Sequence, residues 1–366
     1  MATERKNFDW IDSIRVLSTL VIIIFHYAVV LMDNPTFQDT IYKYFVGFGH
    51  FGIAAFFGIS GYLVVNSLER TPSILEFYRR KFIRVVVPFI VTYILAFGML
   101  LFIKLSSVIF NTPNFFKNYA PLDVVFGMIP IDLNLLKFFE IDYLFLVGEW
   151  FVGTIIWLYL LAPLIYKFLL KNIPATMTAA VIVAGIVASF LLEFETQGKI
   201  FAVQTIFLVR LPEFATGMAL FMYRDKIFQT PPRVVAIFLA VAMTIFTTLQ
   251  NIDFPSVWIK YYFGDVINFH FVLSASLSVY VSFIAAEFLN RNLQVVMLPI
   301  NKFKDISYMA VLIQHLVIRL FDKVFDFKTI GGLGAISVFF LVLFVIIVLS
   351  EIIKKYYTPF EKKLLG

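Results

Sequence analysis

Cysteine is missing altogether from this chain of 366 residues, and that absence removes disulfides, thiolate metal sites, iron–sulfur clusters and a cysteine nucleophile from consideration. Charge is the second scarcity. Asp, Glu, Lys and Arg make up 15% of the residues against 61% hydrophobic, and the mean hydropathy is +0.89. A soluble protein of this length cannot hide so much apolar surface, so the composition excludes a simple peripheral enzyme and implies a polytopic membrane protein. An internal repeat, a low-complexity tract and a composition break are also missing, so the expectation is a single transmembrane domain over 1–366. The short charged start, Met1 to Asp9, enters the first apolar run without a small-residue cleavage site, which argues against a removed signal peptide.

What is present is a series of apolar runs. They predict an all-α protein with about ten transmembrane helices, near 11–31, 47–66, 84–104, 147–170, 174–192, 201–222, 233–250, 266–288, 306–321 and 333–353. The net charge of +6 reports topology in such a chain rather than nucleic acid. Arg5, Lys6, Arg79, Arg80, Lys81, Arg84, Lys354 and Lys355 fall on one alternating set of connections, which carries most of the basic residues. The bias predicts that both termini are cytoplasmic. The long connection at about 105–146 mixes turn signals such as Asn111-Thr-Pro113 with apolar stretches such as Phe126 to Ile131, and is expected to form an interfacial or re-entrant cap on the outer face.

Arg15 and His26 carry the strongest chemical signal, because they are ionisable or polar groups inside the apolar segment Ile11 to Leu31. Eleven helical steps leave about 20° of rotation and a rise of roughly 16 Å, so both face one direction. A charge inside the bilayer costs at least about 2.5 kcal/mol and normally faces a cavity or partner. Arg15 is close enough to the helix start to snorkel to the headgroups. His26 lies in the outer half and has no such escape.

Four passages give the chain a family likeness. Ile11-Asp12-Ser13-Ile14-Arg15 followed by His26 resembles the opening of the membrane-bound acyltransferase 3 family, where an arginine, ten residues and a histidine form a functional motif. Phe56-Phe57-Gly58-Ile59-Ser60-Gly61-Tyr62-Leu63 is similar to its second-helix pattern, Tyr78-Arg79-Arg80-Lys81-Phe82-Ile83-Arg84 before Pro88 to its basic cytoplasmic motif, and Ile306-Ser307-Tyr308 followed by His315 to its late histidine helix. The resemblance covers nearly the whole chain. It implies transfer of an acyl group, most often acetyl from acetyl-coenzyme A, to a hydroxyl of a cell-surface or lipid-linked glycan in a bacterial cell membrane. It further implies a stand-alone form, without the extracytoplasmic esterase-like domain that some members carry, and other surface-polysaccharide assembly proteins as possible partners.

Under that resemblance His26 removes the hydroxyl proton and Arg15 orients the donor or stabilises negative charge, with Asp12 beside it in a structural role. Arg79, Arg80 and Arg84, with Ser60 and Tyr62, are expected to hold the donor. Glu149, in Gly148-Glu149-Trp150-Phe151, is placed in acceptor binding or proton handling, and Trp150, His315 and Tyr308 in substrate binding. Arg210 and Glu213, three residues apart, are expected to pair structurally. The Gly58-Ile59-Ser60-Gly61 string lacks nucleophile-elbow spacing, and the four histidines show no His-Glu-x-x-His spacing, so no metal is expected. A glycan or lipid-linked-sugar transporter is the competing class, since many spans and intramembrane charges suit it equally.

Overall fold

The computed structural model describes residues 9–38, 46–109, 120–224, 269–293 and 300–365, with positions 234 and 297 besides. Every regular element among them is helical. Helix α1 spans Asp9–Leu31, α2 Val46–Arg70, α3 Ile74–Lys81, α4 Val87–Ile109, α5 Pro121–Met128, α6 Leu133–Phe138, α7 Glu149–Lys171 and α8 Ile173–Thr196. Then come α9 Leu211–Met222, α10 Phe269–Asn292, α11 Ser307–Phe325 and α12 Gly332–Leu365.

Six helical stretches are long and apolar enough to cross a membrane: Trp10–Leu31, Phe51–Arg70, Ile74–Leu105, Glu149–Lys171, Ile173–Thr196 and Gly332–Leu365. Large side chains such as Phe102, Phe190, Phe340 and Phe344 stand exposed on α4, α8 and α12, an apolar surface that lipid rather than water can cover. The chain is a multi-pass membrane protein. The expected span at 233–250 lies outside the described residues except for Val234, and so do the side chains of His50 and His270.

Two expected spans take a different form. The apolar run read as 84–104 begins ten residues earlier, because α3 continues through a π turn at Phe82–Val86 into α4. Ser73 starts it by accepting a hydrogen bond from the Glu76 N–H. Pro88 has no N–H to return to the Arg84 carbonyl, and the helix widens immediately before it. The run read as 201–222 is helical only from Leu211, where Pro212 occupies the first turn. A 3₁₀ turn at Val203–Thr205 and irregular backbone precede it.

The core is built from α1, α2, α9, α10 and α11, with α2 packed most extensively on α9 and α1. Glycine sets the α2–α9 approach. A Cβ on Gly217 would lie 1.9 Å from the Gly58 carbonyl oxygen, and one on Gly61 would lie 2.0 Å from that of Phe214. Such small-residue contacts bring backbones together without any gain from water release.

Residues 120–146 fold over one end of this bundle. Asn134 donates to Asp132 Oδ1 and Thr205 Oγ1, and its own Oδ1 accepts from the Phe201 and Ala202 N–H groups. Tyr93 of α4 donates to the Leu144 carbonyl. At the same end, Asn34 donates to the carbonyls of Phe327 and Ile330, which ties the exit of α1 to the α11–α12 connection.

Candidate functional site

Two polar clusters lie along α1. The first surrounds its beginning. Asp12 pairs with Arg15 at 3.3 Å and with Lys304 at 2.8 Å, while Ser13 donates to Asn301 Oδ1 and accepts from Asn290. Arg15 lies within electrostatic reach of Tyr159, whose hydroxyl is bonded to Ser60. The Lys81 ammonium sits 4.7 Å from the Tyr159 ring centroid, a cation–π distance. Tyr308 donates to the Val85 carbonyl in the π turn and faces Tyr159. Arg15, Ser60, Tyr159, Lys81 and Tyr308, from α1, α2, α7, α3 and α11, are therefore linked by pairwise contacts into one group.

The basic segment opens beside it. Glu76 pairs with both Arg79, at 3.1 Å, and Arg80, at 2.7 Å, and Arg79 also donates to the Leu364 carbonyl. Arg84 is mostly exposed, with Glu361 3.8 Å away. The arginines are thus partly neutralised by acids of their own chain. Tyr62 belongs elsewhere: it is fully buried, its ring enclosed by Trp10, Phe221 and Phe283 at 5.0–5.4 Å.

The second cluster surrounds His26, three turns further along α1. Its Nδ1 lies 3.0 Å from the Ile22 carbonyl oxygen. A carbonyl only accepts, so Nδ1 carries a proton and Nε2 of the neutral ring keeps its lone pair. The His315 ring lies 4.1 Å away at 60°. Gln314 interacts with His26, while Gln314 Oε1 is buried with no hydrogen-bond partner among the described residues.

Glu149 closes the same cluster from α7. Gly148 is held against Val311 and Leu312 of α11, placing the α7 start beside the turn that precedes Gln314. Glu149 is 1% exposed; its Oε1 accepts from the Leu146 and Val147 N–H groups at 2.6 and 2.9 Å, and its Oε2 has no partner among the described residues. Trp150 is half-buried and packs on Phe151. Phe145 lies 5.4 Å from the His315 ring. Beyond it, Arg319 extends over the Phe145 ring at 5.9 Å.

Arg210 and Glu213 stand apart from both clusters' described contacts. They pair at 2.6 Å with 1% side-chain exposure each, and the guanidinium covers the Phe57 ring at 5.6 Å. Among the described residues no three His, Asp or Glu side chains form a group suited to a metal ion.

Sequence reasoning passed over Tyr159, Gln314, Phe145 and Arg319, and read Lys81 only as one of the basic residues that attract the donor phosphates. A signal existed for two of them. Gln314 immediately precedes His315, and Arg319 follows it by one helical turn, before the charged Asp322 and Lys323.

Neither a curated protein nor a solved structure matches the chain significantly. A family model described as an acyltransferase domain matches residues 8–354, a range that takes in both clusters and every helix that supplies them. With that match over nearly its whole length, the chain belongs to the acyltransferase 3 family and is a membrane acyltransferase.

Proposed function

We propose that this acyltransferase moves an acetyl group from acetyl-coenzyme A on the cytoplasmic side to a hydroxyl of a cell-surface or lipid-linked glycan on the outer side, both of its termini being cytoplasmic. The observation that supports this reading best is the His26 geometry: a ring fixed by Ile22 through Nδ1, with its neighbour His315 at 4.1 Å, on the face of α1 that also bears Arg15. The positive-inside distribution supports a cytoplasmic position for the Arg15 cluster.

In this reading Arg79, Arg80 and Arg84 attract the phosphates of the donor, and Lys81, Tyr159, Ser60 and Tyr308 line the way past Arg15. The acceptor enters from the other end, beside Trp150 and Glu149. As the acceptor oxygen attacks the thioester carbonyl, His26 Nε2 takes its proton. The carbon–sulfur bond then breaks, and the imidazolium returns the proton to the departing thiolate. Glu149 Oε2 and Gln314 Oε1, both buried without partners among the described residues, accept hydrogen bonds from the acceptor, since an unmade buried bond is costly. A positioned general base contributes roughly 10²–10⁴-fold to such a step.

The test is incubation of purified protein with radiolabelled acetyl-coenzyme A, with and without glycans. Label should move to the glycan, and His26→Ala should lower transfer by roughly 10²-fold or more while the protein remains folded in detergent. Undiminished transfer by His26→Ala excludes the general-base role. Glycan transport across vesicles without consumption of the donor favours a transporter.

A further inference from the structure

Arg319 has no function in the scheme above, yet its position is specific. It follows His315 by four residues on α11, which places both side chains on one helix face about 6 Å apart along the axis. Phe145 joins them physically, since its ring is 5.4 Å from His315 and 5.9 Å from the Arg319 guanidinium. Arg319 also lies within electrostatic reach of His26, His315 and Glu149. It is exposed.

None of the described carboxylates lies within ion-pair distance of Arg319; Asp322, one turn further along α11, turns an oxygen to the Phe327 N–H instead, and Glu149 turns one to the Leu146 and Val147 N–H groups. Arg15, Arg79, Arg80, Arg84, Arg210 and Arg291 each face a carboxylate; Arg70 and Arg224 share the lack of an ion pair among the described residues but lie away from the His26 cluster, Arg224 over the Phe221 ring. The cluster it adjoins also holds two buried polar atoms without partners among the described residues, Glu149 Oε2 and Gln314 Oε1.

We infer that Arg319 is the receptor for a carboxylate on the acceptor, so that the glycan acylated beside His26 is an acidic one, of the hexuronate class. The guanidinium presents a planar fork to a carboxylate, which lets it fix orientation as well as charge. With the acid held over Phe145, the sugar hydroxyls lie towards His315, and Glu149 Oε2 and Gln314 Oε1 accept from them. This inference rests on the acyl-transfer reading of the His26 cluster. It adds the identity of the group that selects the acceptor.

A matched pair of acceptors tests it: tetragalacturonate and its fully methyl-esterified form, which offer the same ring hydroxyls and differ in charge. The protein is reconstituted in phosphatidylcholine vesicles, so that no anionic headgroup competes for Arg319. Wild-type protein is expected to acetylate the acid roughly ten- to a hundred-fold more efficiently than the ester, the range for a hydrogen bond to a charged group. Arg319→Gln should remove that preference by raising KM for the acid, and Arg319→Lys, which keeps the charge without the fork, should restore only part of it. Two results overturn the inference: no preference for the acid in the wild type, or a preference that persists in Arg319→Gln. Either leaves His26-dependent consumption of acetyl-coenzyme A untouched. Loss of that dependence is a failure of the acyl-transfer reading instead.

Discussion

His26 and His315 hold their rings 4.1 Å apart from two different helices, α1 and α11, and His26 is locked in one tautomer by the Ile22 carbonyl. Residues that act on one proton are not independent, so their kinetic effects should not add. His315→Ala is expected to lower kcat at least roughly ten-fold, and the double variant with His26→Ala to be little worse than His26→Ala alone. Additive losses in acetyl-transfer kinetics would separate the two histidines.

Gln314 offers a division between stability and activity. Its buried Oε1 lacks a partner among the described residues while the side chain contacts His26, so Gln314→Leu sets removal of an unsatisfied acceptor against loss of that contact and should shift the thermal midpoint little. Acceptor turnover should nevertheless fall roughly ten-fold or more, as expected for one lost hydrogen bond in the reacting complex. A variant that is stable and fully active removes Gln314 from the site.

The basic segment yields a prediction of opposite sign to most substitutions. Glu76 shares its carboxylate between Arg79 and Arg80, so Glu76→Gln frees both guanidinium groups. KM for acetyl-coenzyme A should fall at low salt and converge with wild type as salt screens the attraction. Arg84→Gln should raise that KM. If Glu76→Gln weakens donor binding, these arginines serve topology and not the donor.

The buried Arg210–Glu213 pair should be indispensable singly and replaceable jointly. Arg210→Met leaves a carboxylate buried alone and is expected to cost about 3–5 kcal/mol. Adding Glu213→Leu should recover much of the loss, read as the detergent unfolding midpoint. A double variant less stable than either single one contradicts a purely structural pair.

Asp132 gives a pH signature outside the spanning helices. Burial pushes its carboxyl pKa up, against the opposing hydrogen bonds from Asn134. A group whose folded pKa is raised binds its proton more tightly when folded, so its contribution is full below the unfolded pKa and is lost as pH rises through the folded one. Asp132→Asn keeps the acceptor for the Asn134 N–H at the start of α6 and should flatten this fall in stability. Thermal melts from pH 4 to 8 measure it.

Long uninterrupted apolar runs made α1, α2, α7 and α8 legible to within a few residues, because span length is dictated by the bilayer; α12 was legible at its start, but its helix continues twelve residues beyond the expected end, through the charged stretch to Leu365. The α3–α4 helix was read short, since Arg79 to Arg84 interrupts the apolar run although the backbone stays helical through it. Arg15 and His26 were visible because α1 supplies both. Tyr159 beside Ser60, and Phe145 between His315 and Arg319, were not. Each is a contact between segments remote in sequence, and helical periodicity carries no information about such pairs. Tyr62 illustrates the converse, for a motif position can look chemical and still be enclosed by Trp10, Phe221 and Phe283.

The shortness of α9 bears on the order in which the protein can be assembled. Twelve helical residues extend about 18 Å, against a hydrocarbon core of about 30 Å. The backbone before it relies on other parts of the chain: the Phe201 and Ala202 N–H groups on Asn134, and the Val203 N–H on Glu195. Lipid offers no substitute for those partners. A nascent α9 released alone into the bilayer would carry unpaired amides and the Arg210–Glu213 pair into hydrocarbon. Stable placement of α9 therefore depends on α2 and the 120–146 segment, both of which precede it in the chain.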